Sequence, residues 1–160
     1  MIPDFDHQVL KLTMQFYSDH PNPPYKEIEL KTARRYNCLI VQTHYDYYIC
    51  IPFRSNVKHK YAFHFKKSAR SRRSHSALDY SKIVITSDSN YLDSVPGIVD
   101  SDEYTEMMKN INVIVRNALE YVDDYVSYLR GDNKRISDEE FLRRYKYSTL
   151  QYFHGILGLP

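Results

Sequence analysis

The amino-acid sequence predicts one α+β domain. Short β-branched and aromatic runs fill its centre, a 3-4-3-4 apolar spacing takes over in the last third, and no linker or internal repeat divides them. A length of 160 residues suits one domain and can bury a core without disulfides or metals.

The elements follow in chain order. Phe5 to Tyr17 place Val9, Leu10, Leu12, Met14, Phe16 and Tyr17 in an imperfect helical pattern, which predicts an N-terminal helix. His20 to Tyr25 (HPNPPY) must break it, because prolines remove N–H donors and fix φ. Asn37–Thr43 (NCLIVQT) and Tyr47–Phe53 (YYICIPF) read as a hairpin about the turn-like His44-Tyr45-Asp46. Pro52 cannot donate to a ladder, so this second strand is expected at an edge or to end there. Tyr61–Phe65 alternates like a strand, and Lys82–Thr86 (KIVIT) is another, ended by SDSN.

The period then changes. Met108, Ile111, Val115, Ala118, Val122, Tyr125 and Leu129 form one helical stripe; Asp100 and Glu103 are spaced for a capping box, and Gly131 ends the helix. Ser137 with Glu140 is a second box, opening a helix through about His154 that stops at Gly155, Gly158 and Pro160. Two C-terminal helices should therefore pack on the sheet.

Bulk properties exclude several classes. The hydrophobic fraction of 42% and charged fraction of 26% are those of a globular domain. No window approaches the ~20 apolar residues of a membrane span, and MIPDFDHQVLKL carries acids where a secretory signal needs cations. A cytoplasmic protein is expected. Cys38 and Cys50 sit in apolar runs as core thiols, without zinc spacing. Four glycines leave no room for a glycine-rich phosphate cradle. GxGxxG, HExxH, CxxC and GxSxG are all absent, and neither metal nor cofactor is expected.

Charge is segregated. Arg54 to Lys82 holds nine cations (Arg54, Lys58, Lys60, Lys66, Lys67, Arg70, Arg72, Arg73 and Lys82) against Asp79 alone, a local +8 in a chain of net +2 that leaves −6 elsewhere. Such a block suits a polyphosphate partner. It lacks the apolar face of a membrane-surface helix.

The nonapeptide Ile51 to His59 (IPFRSNVKH) carries the chemistry. Metal-free RNA cleavage needs a group to take the 2′-hydroxyl proton, cations around the phosphorane, and an acid for the leaving 5′-oxygen. Arg54, Ser55, Lys58 and His59 supply a guanidinium, a hydroxyl, an ammonium and an imidazole at a strand end. Ser55 could only position or relay a proton, while imidazole is the side chain that changes charge near neutrality. From residue types alone, a catalytic loop and a loop that merely grips phosphate fit equally.

These residues also resemble a known family. Arg35-Tyr36-Asn37-Cys38-Leu39-Ile40-Val41, the hairpin into IPFRSNVKH, the basic stretch with SHSALDYSKIVIT and two C-terminal helices look like the toxins of type III toxin–antitoxin systems, the ToxN, AbiQ, CptN and TenpN proteins. The likeness runs from about Tyr36 onward and is nearest the CptN and TenpN branches. It implies a strongly curved, barrel-like antiparallel sheet similar to MazF/Kid, wrapped by helices. It implies a metal-independent endoribonuclease leaving a 2′,3′-cyclic phosphate. Its substrates would be cellular or phage RNA. Its antitoxin would be a small repeated, pseudoknotted RNA, which the toxin processes and with which it assembles into a multimeric complex, often in phage defence.

Transferred by position, Ser55 falls on the serine needed for cleavage, Tyr36 on the groove tyrosine, and Arg54 and Lys58 on the cationic loop. The ToxN branch has Thr-Ser-Pro-Lys where this chain has Arg-Ser-Asn-Val-Lys, which displaces Lys58 by one residue and raises the weight of His59. Lys60, Lys66, Lys67, Arg70, Arg72, Arg73, Tyr80 and Lys82 are the expected RNA contacts. Two other readings stand beside this one: a non-catalytic RNA-binding module, and a protein-protein adaptor using the Met108–Leu129 helix.

Overall fold

A buried hairpin is the centre of the computed structural model, which describes residues 8–28, 35–132 and 135–160. Strands β2 (Asn37–Gln42) and β3 (Tyr48–Arg54) pair antiparallel, with Cys38 opposite Pro52 and Val41 opposite Ile49. Every residue from Cys38 to Val41 and from Ile49 to Pro52 is buried, so both faces of this hairpin are covered.

Around it lie β1 (Gln8–Leu12), β4 (Ala62–His64), β5 (Ala77–Asp79), β6 (Val84–Thr86) and β7 (Leu92–Pro96). Among the described residues, these seven strands form one antiparallel sheet of order β4-β5-β3-β2-β1-β7, with β6 also paired to β3. Strands β4 and β7 are its open ends, so the sheet is not closed.

Three sequence expectations change here. Gln8–Leu12 is a strand between β2 and β7; only α1 (Met14–Asp19) is helical, and Phe5 lies outside the described residues. Val9, Leu10 and Leu12 are all buried, a pattern that a strand covered on both faces satisfies as well as a helix does. Strand β3 is central, not an edge. It pairs with β6 through Tyr48–Cys50 and with β5 through Phe53–Arg54, and Pro52 falls in the gap between those ladders, where a missing N–H is tolerated. Lys82 belongs to a 3-10 turn (Tyr80–Lys82), and the strand begins only at Val84.

The long predicted helix is two. α3 (Ser101–Lys109) and α4 (Ile111–Arg130) meet at Asn110, whose side-chain amide donates to the Glu106 carbonyl at 2.8 Å and competes with the helical ladder. Asp100 caps α3 as expected, and Gly131 closes α4 at φ 75. α4 buries Ile114, Val115, Ala118, Tyr121, Val122 and Tyr125, while Met108 and Leu129 are exposed. Ser137 caps α5 (Asp138–Tyr145), followed by a 3-10 turn and the short α6 (His154–Leu157). A further helix that local pattern does not signal, α2 (Ala69–Ser74), interrupts the basic block and begins with a Ser68–Ser71 capping box. No described helix is long and apolar enough to cross a membrane.

Candidate active site

The site grows from the end of β3. Arg54 pairs with Ala77 of β5, and the two-residue period of a strand puts Asp79 on the same face. The Arg54 guanidinium accordingly reaches Asp79 Oδ2 at 3.0 Å and lies 5.7 Å from the ring centroid of the half-buried Tyr36, a cation–π distance. Asp79 is only 1% exposed and gathers three residues. Besides pairing with Arg54, it accepts the Ser81 amide at 3.0 Å and the Ser81 hydroxyl at 2.6 Å on Oδ1, and His59 Nε2 lies 3.2 Å from that same oxygen. Burial pushes this carboxyl up, but the hydrogen bonds from His59 and Ser81 and the charges facing it outweigh burial and hold it below the ordinary aspartate range.

His59 is engaged at both ring nitrogens. The Tyr61 amide can only donate, so Nδ1, 3.1 Å away, accepts and carries no proton. The proton therefore sits on Nε2, facing Asp79 at 3.2 Å and the Ser81 hydroxyl at 3.3 Å. The His59 carbonyl is taken as well, by His64 Nε2 at 2.7 Å.

Between Arg54 and His59, the loop is anchored in the middle. The Asn56 and Val57 amides donate to the carbonyls of Ser74 and His75, at 2.7 and 3.1 Å, where α2 ends. Asn56 adopts φ 60, which Asn tolerates better than most residues. Ser55, directly after Arg54, stands exposed on this loop, as does Lys58.

Tyr36, Arg54 and Lys82 line one concavity together with the acid Glu27 and an apolar wall that includes Leu12, Phe16 and Val84. Its volume of about 30 Å³ holds a water and not a base, so an RNA strand could only lie across it. Lys82 Nζ donates to the Tyr147 carbonyl at 2.7 Å, which fixes the ammonium at this rim.

The rest of the basic block divides in two. Glu103 and Glu106 of α3, both buried, clamp it from beneath. Glu106 accepts the amides of Lys66 and Lys67 at 3.0 and 2.9 Å. Glu103 takes Arg70 Nη1 at 2.8 and 2.9 Å and the Ser76 hydroxyl, so its carboxylate is diverted from the expected capping box. Arg70 is thereby committed to Glu103. Lys60 lies over the Tyr61 ring. Lys58, Lys66, Lys67, Arg72 and Arg73 are exposed, and none forms a salt bridge among the described residues. Tyr80 is a correction: its ring is 5% exposed and its hydroxyl faces the Ile114 carbonyl, so it is core and offers no surface to RNA. Burial pushes that phenol well above the usual tyrosine range.

Sequence reasoning missed Asp79, Ser81, Glu103 and Glu106 as organising residues. One signal was present: Asp79 is the single acid of the block and sits between apolar residues of the run ALDYSKIVI. A lone acid among residues that must be buried needs partners.

Fold and site together define an α+β domain with a buried carboxylate, Asp79, that gathers Arg54, His59 and Ser81 at the end of a central strand. Comparison with protein-family models, curated proteins and solved structures gives no match.

Proposed function

We propose that this chain is a metal-independent endoribonuclease and the toxin of an RNA-neutralised toxin–antitoxin system. One observation supports it above the rest: Tyr36, Arg54 and Lys82 line one concavity beside the pinned loop that presents Ser55. In this reading a phosphodiester lies over Arg54 and Lys82, which stabilise charge on the phosphorane as the 2′-oxygen bonds to phosphorus and gives its proton to water, and as the bond to the 5′-oxygen breaks and that oxygen takes a proton from water. Ser55 orients the scissile group or relays a proton. The strand enters along Lys66, Lys67, Arg72 and Arg73. The finer expectations travel with this proposal: a barrel-like curvature of the sheet, cytoplasmic action, and inhibition by a small repeat RNA that the toxin itself trims.

Incubating the pure protein with mixed RNA in EDTA tests the chemistry. Fragments ending in 2′,3′-cyclic phosphate are expected, and Ser55→Ala should abolish them while keeping the parental melting curve, because Ser55 is exposed. Undiminished cleavage by Ser55→Ala would remove the loop from the mechanism. A second reading, RNA binding without cleavage, is favoured by the occupation of both His59 nitrogens. It predicts salt-sensitive binding and intact RNA under every condition.

A further inference from the structure

We propose that Asp79 is the positioning residue of this site: its buried carboxylate aims the Arg54 guanidinium and locks His59 as a hydrogen-bond donor, so that His59 is not the general base. The proposal deepens the ribonuclease reading and rests on it.

Three chain segments meet on this one carboxylate. Arg54 is the last residue of β3, His59 closes the loop that follows, and Ser81 belongs to the 3-10 turn that carries Lys82. The two ends of the Ser55 loop are thus tied to one buried point, and its middle is tied to α2. A carboxylate with donors on both oxygens holds each of them in one direction. With its Oδ2 side on Arg54, Asp79 points a forked cation toward the rim shared with Tyr36 and Lys82.

The same carboxylate settles what His59 can do. A general base needs a lone pair facing the substrate. The Nδ1 lone pair of His59 faces the Tyr61 amide, and Nε2 bears its proton toward the Ser81 hydroxyl, which Asp79 holds by accepting its hydrogen, with Asp79 Oδ1 itself 3.2 Å away. Among the described residues, the Ser81 hydroxyl and the Tyr61 ring, at 6.0 Å, also adjoin the imidazole, and His64 Nε2 bonds the His59 carbonyl. Ser81 and Asp79 both approach Nε2, unlike the relay of a catalytic triad, in which serine and acid lie on opposite nitrogens. The cluster holds geometry; it does not pass protons.

Two substitutions test this on the full-length protein with a mixed-sequence oligoribonucleotide. Asp79→Asn keeps the shape but lets Arg54 and His59 turn. Its kcat should fall about 100-fold, the effect of losing one preorganised donor, while KM changes less than threefold because the exposed lysines and arginines still bind. His59→Gln keeps an N–H for Asp79; it should lower kcat less than tenfold and leave the shape of the pH–rate profile as in the parent. Parental kcat in Asp79→Asn overturns the proposal, and so does loss of the acidic limb of the profile in His59→Gln. If the parent itself cleaves nothing, the ribonuclease reading falls, and ¹⁵N NMR of the histidine rings decides the rest. A His59 proton on Nε2 alone in the parent, spread over both nitrogens in Asp79→Asn, supports the hold of Asp79. Identical rings in the two proteins refute it.

Discussion

Removing Arg70 should cost more than its half-exposed position suggests. Its side chain is 50% exposed, but Glu103 beneath it is only 2% exposed and, among the described residues, its carboxylate has one other donor, the Ser76 hydroxyl. In Arg70→Ala that carboxylate stays buried with its charge uncompensated, a situation that costs about 3 kcal/mol where one partner of a buried pair is deleted. In Glu103→Gln the opposite holds: Arg70 rehydrates through its open side, and the loss is on the order of the hydrogen bonds alone, about 1–2 kcal/mol. The double variant removes the stranded charge, so its cost should fall below the sum of the singles by about 1–2 kcal/mol. For a chain of this length, Arg70→Ala then lowers the melting temperature by roughly 6–12 °C. Urea unfolding of the four proteins, with equal m-values, measures the cycle. A cost under 1 kcal/mol for Arg70→Ala, or strict additivity, would show that water reaches Glu103 and that α3 does not hold the basic segment through this pair.

Other outcomes follow from the same geometry. Asp79 lies below the ordinary aspartate range in the fold, where hydrogen bonds and nearby charge outweigh burial, so its stabilisation is full above its unfolded value of about 3.9 and is lost as pH falls through the lower folded value. Acid unfolding followed by circular dichroism should therefore be steeper below about pH 4 in the parent than in Asp79→Asn, and superimposable acid limbs would contradict this. Burial pushes the Cys38 thiol up to about 12 and Cys50 well above its usual value. Both should resist a thiol reagent in the native protein and react at the rate of unfolding; fast labelling at pH 8 would mean that the hairpin opens locally. Replacing Lys66 and Lys67 by Ala should reduce the salt slope of RNA binding by about 0.7 for each phosphate no longer neutralised, without moving the melting temperature. An unchanged slope would place the RNA elsewhere.

Local chemistry made much of this fold legible. The hairpin, the helix caps at Asp100 and Ser137 and the stop at Gly131 are set by nearest neighbours: turn residues, capping oxygens and a residue that accepts positive φ. The N-terminal strand was not legible, since burial on both faces erases the two-residue alternation that marks a strand. The break at Asn110 was equally hidden, because the apolar stripe runs on across it.

The linear order of residues determined that cations concentrate between Arg54 and Lys82, that a serine follows the central strand, and that Tyr36 opens its partner. Only the tertiary structure decided how those charges are used. It committed Arg54 to Asp79 and Arg70 to Glu103, buried Tyr80, and gave both nitrogens of His59 partners within its own fold. The physical reason is the same in each case. A charge or ring takes its role from what desolvates it and what donates to it, and those partners lie in strands and helices far along the chain.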